Sequence, residues 1–350
     1  MSTKPFIAAR IEEFLDLRLE GLFRALGWRE QVIAYTGYGS GDFLRVLARV
    51  KLVPQWSRSQ LGRATKEFVK RRGWRSFITA PCVRVRVTIA VGGRTVHATT
   101  DRGGYLDHRI FGHDLEPGWQ QVTVRSTGSD PVPCDVLIVG DDARFGLLSD
   151  IDDTVLTTWL PRPMIAAWNS FVRDESNRQS IPGMSRLYHR CLAAHPGAPM
   201  FYLSTGAWNT YDFLTRFLKR HNYPKGPLLL TDWGPTNTGW FRSGMEHKRT
   251  SLLRLAAEFP RIAWLLVGDD GQHDPEIYAE FANSHPSHVV AVAIRQLSPT
   301  EQVLAHGTNM PLEESDELAA DSSWVEAPDG RGLAAKLRTA LARPPADAAG

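Results

Sequence analysis

The residues best placed to do chemistry are Asp150, Asp152, Asp153 and Thr154, which follow the apolar run Phe145 to Ser149 without a break other than Ile151. Three carboxylates within four positions repel one another, so a compact fold gathers them only around a compensating cation. Phe145 to Leu148 suits a buried strand of a parallel sheet. Ligands of such sheets bind at the carboxyl ends of the strands, which is where these acids would stand. A helix cap needs only one acid. A calcium loop of EF-hand type needs Gly at its sixth position, and Val155 stands there.

Three later segments end in the same way. Ser204, Thr205 and Gly206 follow the strand-like run from Met200. Lys248 lies near the start of a helix. Gly268, Asp269 and Asp270 follow Ala263 to Val267, with Asp274 one turn further on. Taken in this order, at the carboxyl ends of one sheet, these groups describe a single pocket. His247 and His273 flank it and read as structural.

The chemistry such a set suits is phosphoryl transfer, where the site must neutralise the charge of the ester and place a nucleophile in line. Asp150 is the candidate nucleophile, forming an aspartyl-phosphate. Asp152 is the candidate acid/base, first for the leaving alkoxide and then for water. Mg²⁺ prefers a few hard oxygens. Its expected ligands are Asp150, the backbone carbonyl of Asp152 and Asp269, with Asp270 or Asp274 completing the shell. Thr154, Ser204, Thr205 and Lys248 are the candidate phosphate ligands, Lys248 by its charge.

The elements that must hold these groups follow from pattern. Between about 144 and 297, strands at 145–149, 200–204, 228–231, 263–267 and 289–294 alternate with helices near 163–175, 184–194, 208–221, 246–258 and 275–283. That alternation predicts an α/β domain over 141–300 with a doubly wound parallel sheet. Residues 301–350 read as a polar tail with a short helix near 331–342 and a disordered end.

Upstream, apolar residues at Ile7, Ile11, Leu15, Leu19, Leu22 and Leu26 mark an amphipathic helix within 1–29. It reads as packed on the protein, with lipid contact as the alternative. Over 30–140, short β-rich runs at 31–35, 44–52, 83–91, 95–99 and 121–125, broken by turns such as Gly92-Gly93, predict an antiparallel β-sandwich. Pro131 and Pro133 lead into the next domain. Arg58, Arg63, Lys66, Lys70, Arg71, Arg72 and Arg75 form a basic insertion interleaved with Trp56, Phe68, Trp74 and Phe77. It reads as a solvated helix, with an anionic surface as the sharper alternative.

Composition bounds the class. With 43% hydrophobic and 23% charged residues, the 350-residue chain reads as a soluble globular protein of two domains. No run approaches the roughly 18 apolar residues of a membrane span. Glu12, Glu13 and Asp16 interrupt the start and do not suit a secretory leader. Cys82, Cys134 and Cys191 are too few and too scattered for a disulfide framework, which fits a cytoplasmic chain with peripheral membrane contact at most. A net charge of +3 does not point to nucleic acid.

The order DxDxT, Ser-Thr-Gly, Lys and Gly-Asp resembles the haloacid dehalogenase superfamily of phosphatases. Residues 147–154, 201–209, 247–248 and 268–278 look more closely like the actin-patch-type phosphatidate phosphatases and their bacterial relatives. The similarity covers about 144–297, and 35–52 and 100–105 look like the sandwich domain that precedes it in the bacterial members. The resemblance implies a Mg²⁺-dependent phosphatase with Asp150 as nucleophile, Asp152 as acid/base, Ser204 and Lys248 as phosphate ligands and Asp269 as a metal ligand. Asp270 stands where relatives often have Ser.

The spacing between motifs leaves no room for a large cap, and an open site suits a phosphate on a large body, such as a lipid. Trp159, Pro161, Pro163, Met164 and Trp168, with Trp233, Trp240 and Phe241 in the loop 234–244, are candidate apolar rims. The expected substrate is phosphatidate or a related lipid phosphate. The alternatives are a phosphatase of soluble or macromolecular phosphomonoesters and a catalytically idle binding module.

Overall fold

The computed structural model describes residues 20–54, 80–157, 178–231, 240–271, 273–306 and 323–341. The basic insertion, the first apolar rim, Trp233 and the helix expected near 163–175 lie outside them. The chain forms two compact units, Met1–Gly140 and Asp141–Gly350.

The first unit holds β1 (Arg29–Ser40), β2 (Phe43–Val53), β3 (Ala80–Pro81), β4 (Arg86–Val91), β5 (Arg94–Thr99), β6 (Tyr105–Phe111), β7 (Gly118–Ser126) and β8 (Val132–Val139). They are hydrogen-bonded as one eight-stranded sheet in the order β3-β2-β1-β8-β7-β4-β5, with β6 on β2. Every pairing is antiparallel except β1 with β8. The sequence thus foretells the antiparallel strands, while β6 and β8 were not legible. Pro133 is no linker: it lies within β8, opposite Thr123 of β7. Alternate residues of β2 and β4 (Leu44, Val46, Ala48, Val50; Val87, Ile89, Val91) share one core with Val122, Val124, Val136 and Ile138, as period-two strands with one buried face require.

Of the amphipathic N-terminal helix, residues 20–25 are described and helical. Its apolar contact differs from the stripe read in the sequence. Leu22 and Leu26 are 55% and 65% exposed, while Phe23 stacks on Trp28 at 4.3 Å and packs against the core.

The second unit is built on β9 (Phe145–Asp150), β10 (Met200–Ala207), β11 (Leu228–Thr231), β12 (Ala263–Asp269), β13 (Val289–Arg295) and β14 (Ser323–Ala327). Their order is β11-β10-β9-β12-β13-β14, and all pairs are parallel. The described helices are α1 (Met184–Ala194), α2 (Tyr211–Arg220, after a 3-10 turn at Trp208–Thr210), α3 (Trp240–Glu258), α4 (Asp274–Ser284), α5 (Pro299–His306) and α6 (Gly330–Leu341). Met184, Leu187 and Tyr188 bury one stripe of α1. With Phe213 and Phe217 of α2 and Leu333 and Leu337 of α6, they share a core with Leu147, Tyr202 and Leu265. Phe201 points the other way and meets Phe259 and Trp264. Helical packing on both faces explains why β9 is buried throughout.

Two expectations for this unit are corrected. Trp240 and Phe241 begin α3, which starts at 240 and not near 246, so they are not in a loop. The short helix expected near 331–342 is α6, but residues 323–327, read as part of a polar tail, add a sixth strand. Ser323–Ala327 pairs with β13, and Val325 and Ala327 bury their side chains in the core. Five residues with two acids or hydroxyls between them carried too little periodicity to read as a strand.

Candidate active site

β9 lies between β10 and β12, so its carboxyl end stands at the centre of the edge where the acids gather. Asp150 is the last residue of β9, Asp269 the last of β12, and Asp274 the first of α4. One carboxylate oxygen from each of the three lies within 4.8 Å of the others, and all three side chains are buried. Gly268 makes this approach possible: a Cβ there would lie 2.6 Å from Asp274 Oδ2 and 2.8 Å from the Tyr278 ring.

Lys248, on α3, reaches into the cluster. Its Nζ donates to Asp150 Oδ1 at 2.6 Å and also to Asp274 Oδ1. Burial opposes its charge, but Asp150, Asp274 and Asp269 hold the ammonium well above its ordinary value. Burial drives the Asp150 carboxyl well above the usual carboxylate range, against the pull of Lys248, and Asp274 and Asp152 add to the rise. Asp269 is raised in the same way, by burial and then by Asp274 and Asp150. One lysine therefore does not compensate the acids gathered here.

Asp152 extends the site toward β10. Its Oδ2 accepts a hydrogen bond of 2.9 Å from Ser204 Oγ, and Ser204 Oγ accepts in turn from the Gly206 N–H at 2.9 Å. Burial raises the Asp152 carboxyl, with the Ser204 hydrogen bond opposing the rise. Ser204, the candidate phosphate ligand, is thus joined to Asp152 at the same strand end. Thr154 is fully buried, and its Oγ1 donates to Asp269 Oδ2 at 3.3 Å. The Thr205 carbonyl accepts from Thr231 Oγ1 at 3.0 Å, tying it to β11.

Asp270 and Asp274, the two alternatives for the last metal ligand, are placed differently. Asp270 Oδ1 accepts the Leu297 N–H at 2.7 Å and is not one of the clustered acids, whereas Asp274 is. The first turn of α4 directs Asp274 back over the strand end; a residue directly after Asp269 continues away from it.

Among the described residues, Asp150 Oδ2, Asp152 Oδ1 and Asp274 Oδ2 are buried with no hydrogen-bond partner. Each orphaned carboxylate oxygen carries a desolvation penalty. Hard oxygens so arranged fit a divalent cation of the Mg²⁺ type.

Sequence reasoning missed two further groups. Ser149 Oγ donates to the Asp150 carbonyl and lies 2.6 Å from Tyr188 Oη, which backs the strand end from α1. Arg178 lies close enough to Asp152 and Asp153 for their charges to act on it, and burial lowers its pKa. Backbone pairing of 155–157 with 179–181 explains its place, since Thr157 N–H donates to Gln179 and Ile181 N–H to Val155. No spacing in the sequence joins 155 to 181.

The second unit is thus an α/β domain whose parallel sheet carries buried aspartates around one lysine at its carboxyl edge. Residues 145–296 match the family described as phosphatidate phosphatase APP1, catalytic domain, which bears out over that segment the resemblance read from the sequence. Phosphatidate phosphatase APP1 of Saccharomyces cerevisiae is 30% identical over 153 residues, 43% of this chain and 26% of the yeast protein. An uncharacterized protein of Schizosaccharomyces pombe, C29B5.04c, is 25% identical over 182 residues, 51% of this chain and 30% of its own. The chain thus spans less than a third of the length of these curated relatives. The HAD domain of effector protein Lem4 from Legionella pneumophila aligns with 44% of this chain and 86% of its own, at 14% identity and a TM-score of 0.29.

Proposed function

We propose that the second unit is a Mg²⁺-dependent phosphomonoesterase that forms an aspartyl-phosphate on Asp150 and acts on phosphatidate or a related lipid phosphate. The observation that carries this reading is the buried cluster of Asp150, Asp269 and Asp274 against Lys248, with three carboxylate oxygens left unpartnered. It lies within the segment that matches the phosphatidate phosphatase catalytic domain.

Asp150, Asp269 and Asp274 would hold the ion, which supplies charge neutralisation for the phosphoryl oxygens. The chain's own groups do the rest. Asp150, fixed at a strand end by the Ser149 hydroxyl on its carbonyl, presents one oxygen to Lys248 and one without a partner. The second oxygen is the nucleophile. Asp152 is held by Ser204 through Oδ2, which leaves Oδ1 for proton transfer. Burial favours its protonated form, the form needed to protonate a leaving alkoxide. Lys248 supplies positive charge beside the nucleophile, where negative charge accumulates.

The lipid preference is supported by the family match and by the short spacing between motifs, which leaves no room for a large cap. No described helix is long and apolar enough to cross a membrane. The proposed contact with a lipid substrate is peripheral, at the cytoplasmic face of a membrane. Phosphate release from phosphatidate in mixed micelles with Mg²⁺, against soluble phosphomonoesters, tests the reading. Release from soluble esters alone overturns the lipid part, and no release from any ester overturns the whole.

A further inference from the structure

We infer that Arg295 is a positioning residue for this site, a strap between the loop of the nucleophile and the loop that carries Asp269. The inference rests on the phosphatase reading of the site and deepens it.

Arg295 ends β13, in register with Asp269 at the end of β12. Its backbone carbonyl accepts the Asp270 N–H at 3.0 Å, which fixes it to the Asp269 loop. Its side chain, in a residue only 6% exposed, crosses to the other loop. There Nη1 donates to the carbonyl of Asp153 at 2.6 Å.

Asp153 is the turning point of the nucleophile loop. Its φ is +57°, in the left-handed region that few L-residues other than Asn and Asp adopt. Its N–H donates to the Leu156 carbonyl at 2.8 Å, and Val155 N–H to Ile151 at 2.9 Å. This tight turn carries Asp150 into its start and Asp152 beside its apex. A charge-assisted donor on the Asp153 carbonyl holds the turn in this conformation.

The guanidinium is itself fixed from the far side. Nη2 donates to Glu301 Oε1 at 2.7 Å and Nε to the Pro328 carbonyl at 3.3 Å. Glu301 Oε2 accepts from both the N–H and the hydroxyl of Ser298 at 2.9 Å. Three directions are thus set by one planar group, an arrangement that lysine cannot reproduce.

The test compares the full chain with Arg295→Gln, Arg295→Lys, Glu301→Gln and Leu337→Ala. Leu337 is buried on α6 and serves as a variant that loses stability without touching the site. Hydrolysis of p-nitrophenyl phosphate with Mg²⁺ is measured well below each variant's Tm, together with hydrogen exchange of the amides of 151–156. Arg295→Gln is expected to lower kcat about 10- to 100-fold with KM changed by no more than about twofold. Arg295→Lys should recover part of kcat, and Leu337→Ala should keep it. Exchange at Asp153 and Val155 should quicken about tenfold or more in Arg295→Gln and stay unchanged in Leu337→Ala. If Arg295→Gln does not fold, Glu301→Gln takes its place, with the same split and a loss of about 3- to 10-fold. Full kcat in the Arg295 variant, an equal loss in Leu337→Ala, or unchanged exchange overturns the inference. If the unaltered chain hydrolyses no ester, the phosphatase reading fails by itself, and the exchange measurement still decides whether Arg295 holds the loop.

Discussion

Lys248 Nζ lies 2.6 Å from Asp150 Oδ1, and the two side chains are 2% and 1% exposed. A buried pair of this kind contributes little to stability by itself, because desolvation of both ions offsets their attraction. On the proposed phosphatase reading its place has a reason: a fixed positive charge beside a carboxylate nucleophile would steady the incoming phosphoryl group.

Asp150→Asn is expected to reduce phosphate release by about 1,000-fold or more, since an amide oxygen cannot serve as the nucleophile. A malachite green assay with Mg²⁺ checks this. Unchanged release would remove the proposed mechanism.

Asp274→Asn and Asp270→Asn are expected to differ sharply. Asp274 belongs to the clustered acids, while Asp270 is engaged by the Leu297 N–H. In a thermal-shift titration with Mg²⁺, the native chain should gain about 2.7 kcal/mol at a hundredfold excess over Kd. Asp270→Asn should keep most of that gain and Asp274→Asn should lose it. Chelation of the ion should likewise stop turnover in the native chain and restore nothing in Asp274→Asn.

Gly268→Ala is expected to cost about 1–3 kcal/mol in urea unfolding, because its methyl would meet Asp274 Oδ2 at 2.6 Å and Tyr278 at 2.8 Å. Activity should fall further than stability does, since the displaced group is Asp274. Retained activity with lowered stability would mean that Asp274 does not act in the site.

His247 gives a pH dependence of stability. Its half-buried ring donates from Nε2 to the Leu229 carbonyl at 3.2 Å. Burial lowers its pKa from 6.5 to about 4. The unfolded chain therefore binds more protons between those values, and stability falls as pH drops through the window. Replacement by Gln, which keeps a donor, should flatten this fall by about 2 kcal/mol relative to the native chain. Equal slopes in urea titrations at pH 7, 5.5 and 4.5 would show that the ring does not carry the effect.

The parallel sheet was legible because its strands are continuous apolar runs that end in polar clusters, as Phe145 to Asp150 and Ala263 to Asp269 do. The first unit was less legible. β8 begins with Val132 and Pro133, which read as a linker, and is held in place by long-range pairing with β1 and β7. In the site, Asp150, Asp269 and Lys248 followed from motif order. The hydrogen-bond partners of Ser204 and Thr154 did not, because the direction of a hydroxyl depends on neighbours 52 and 115 residues away. That Asp274 and not Asp270 joins the clustered acids was visible only once α4 had set its direction.

The strand at 323–327 lies outermost, against the apolar β13. A chain shortened to residue 300 would expose the backbone N–H and C=O groups that Ala291 to Arg295 turn toward the lost strand, next to alanine, valine and isoleucine side chains. Such a bare ladder is a template for another copy's strand. Trimming the chain there should yield intermolecular pairing and aggregation in place of a smaller monomer.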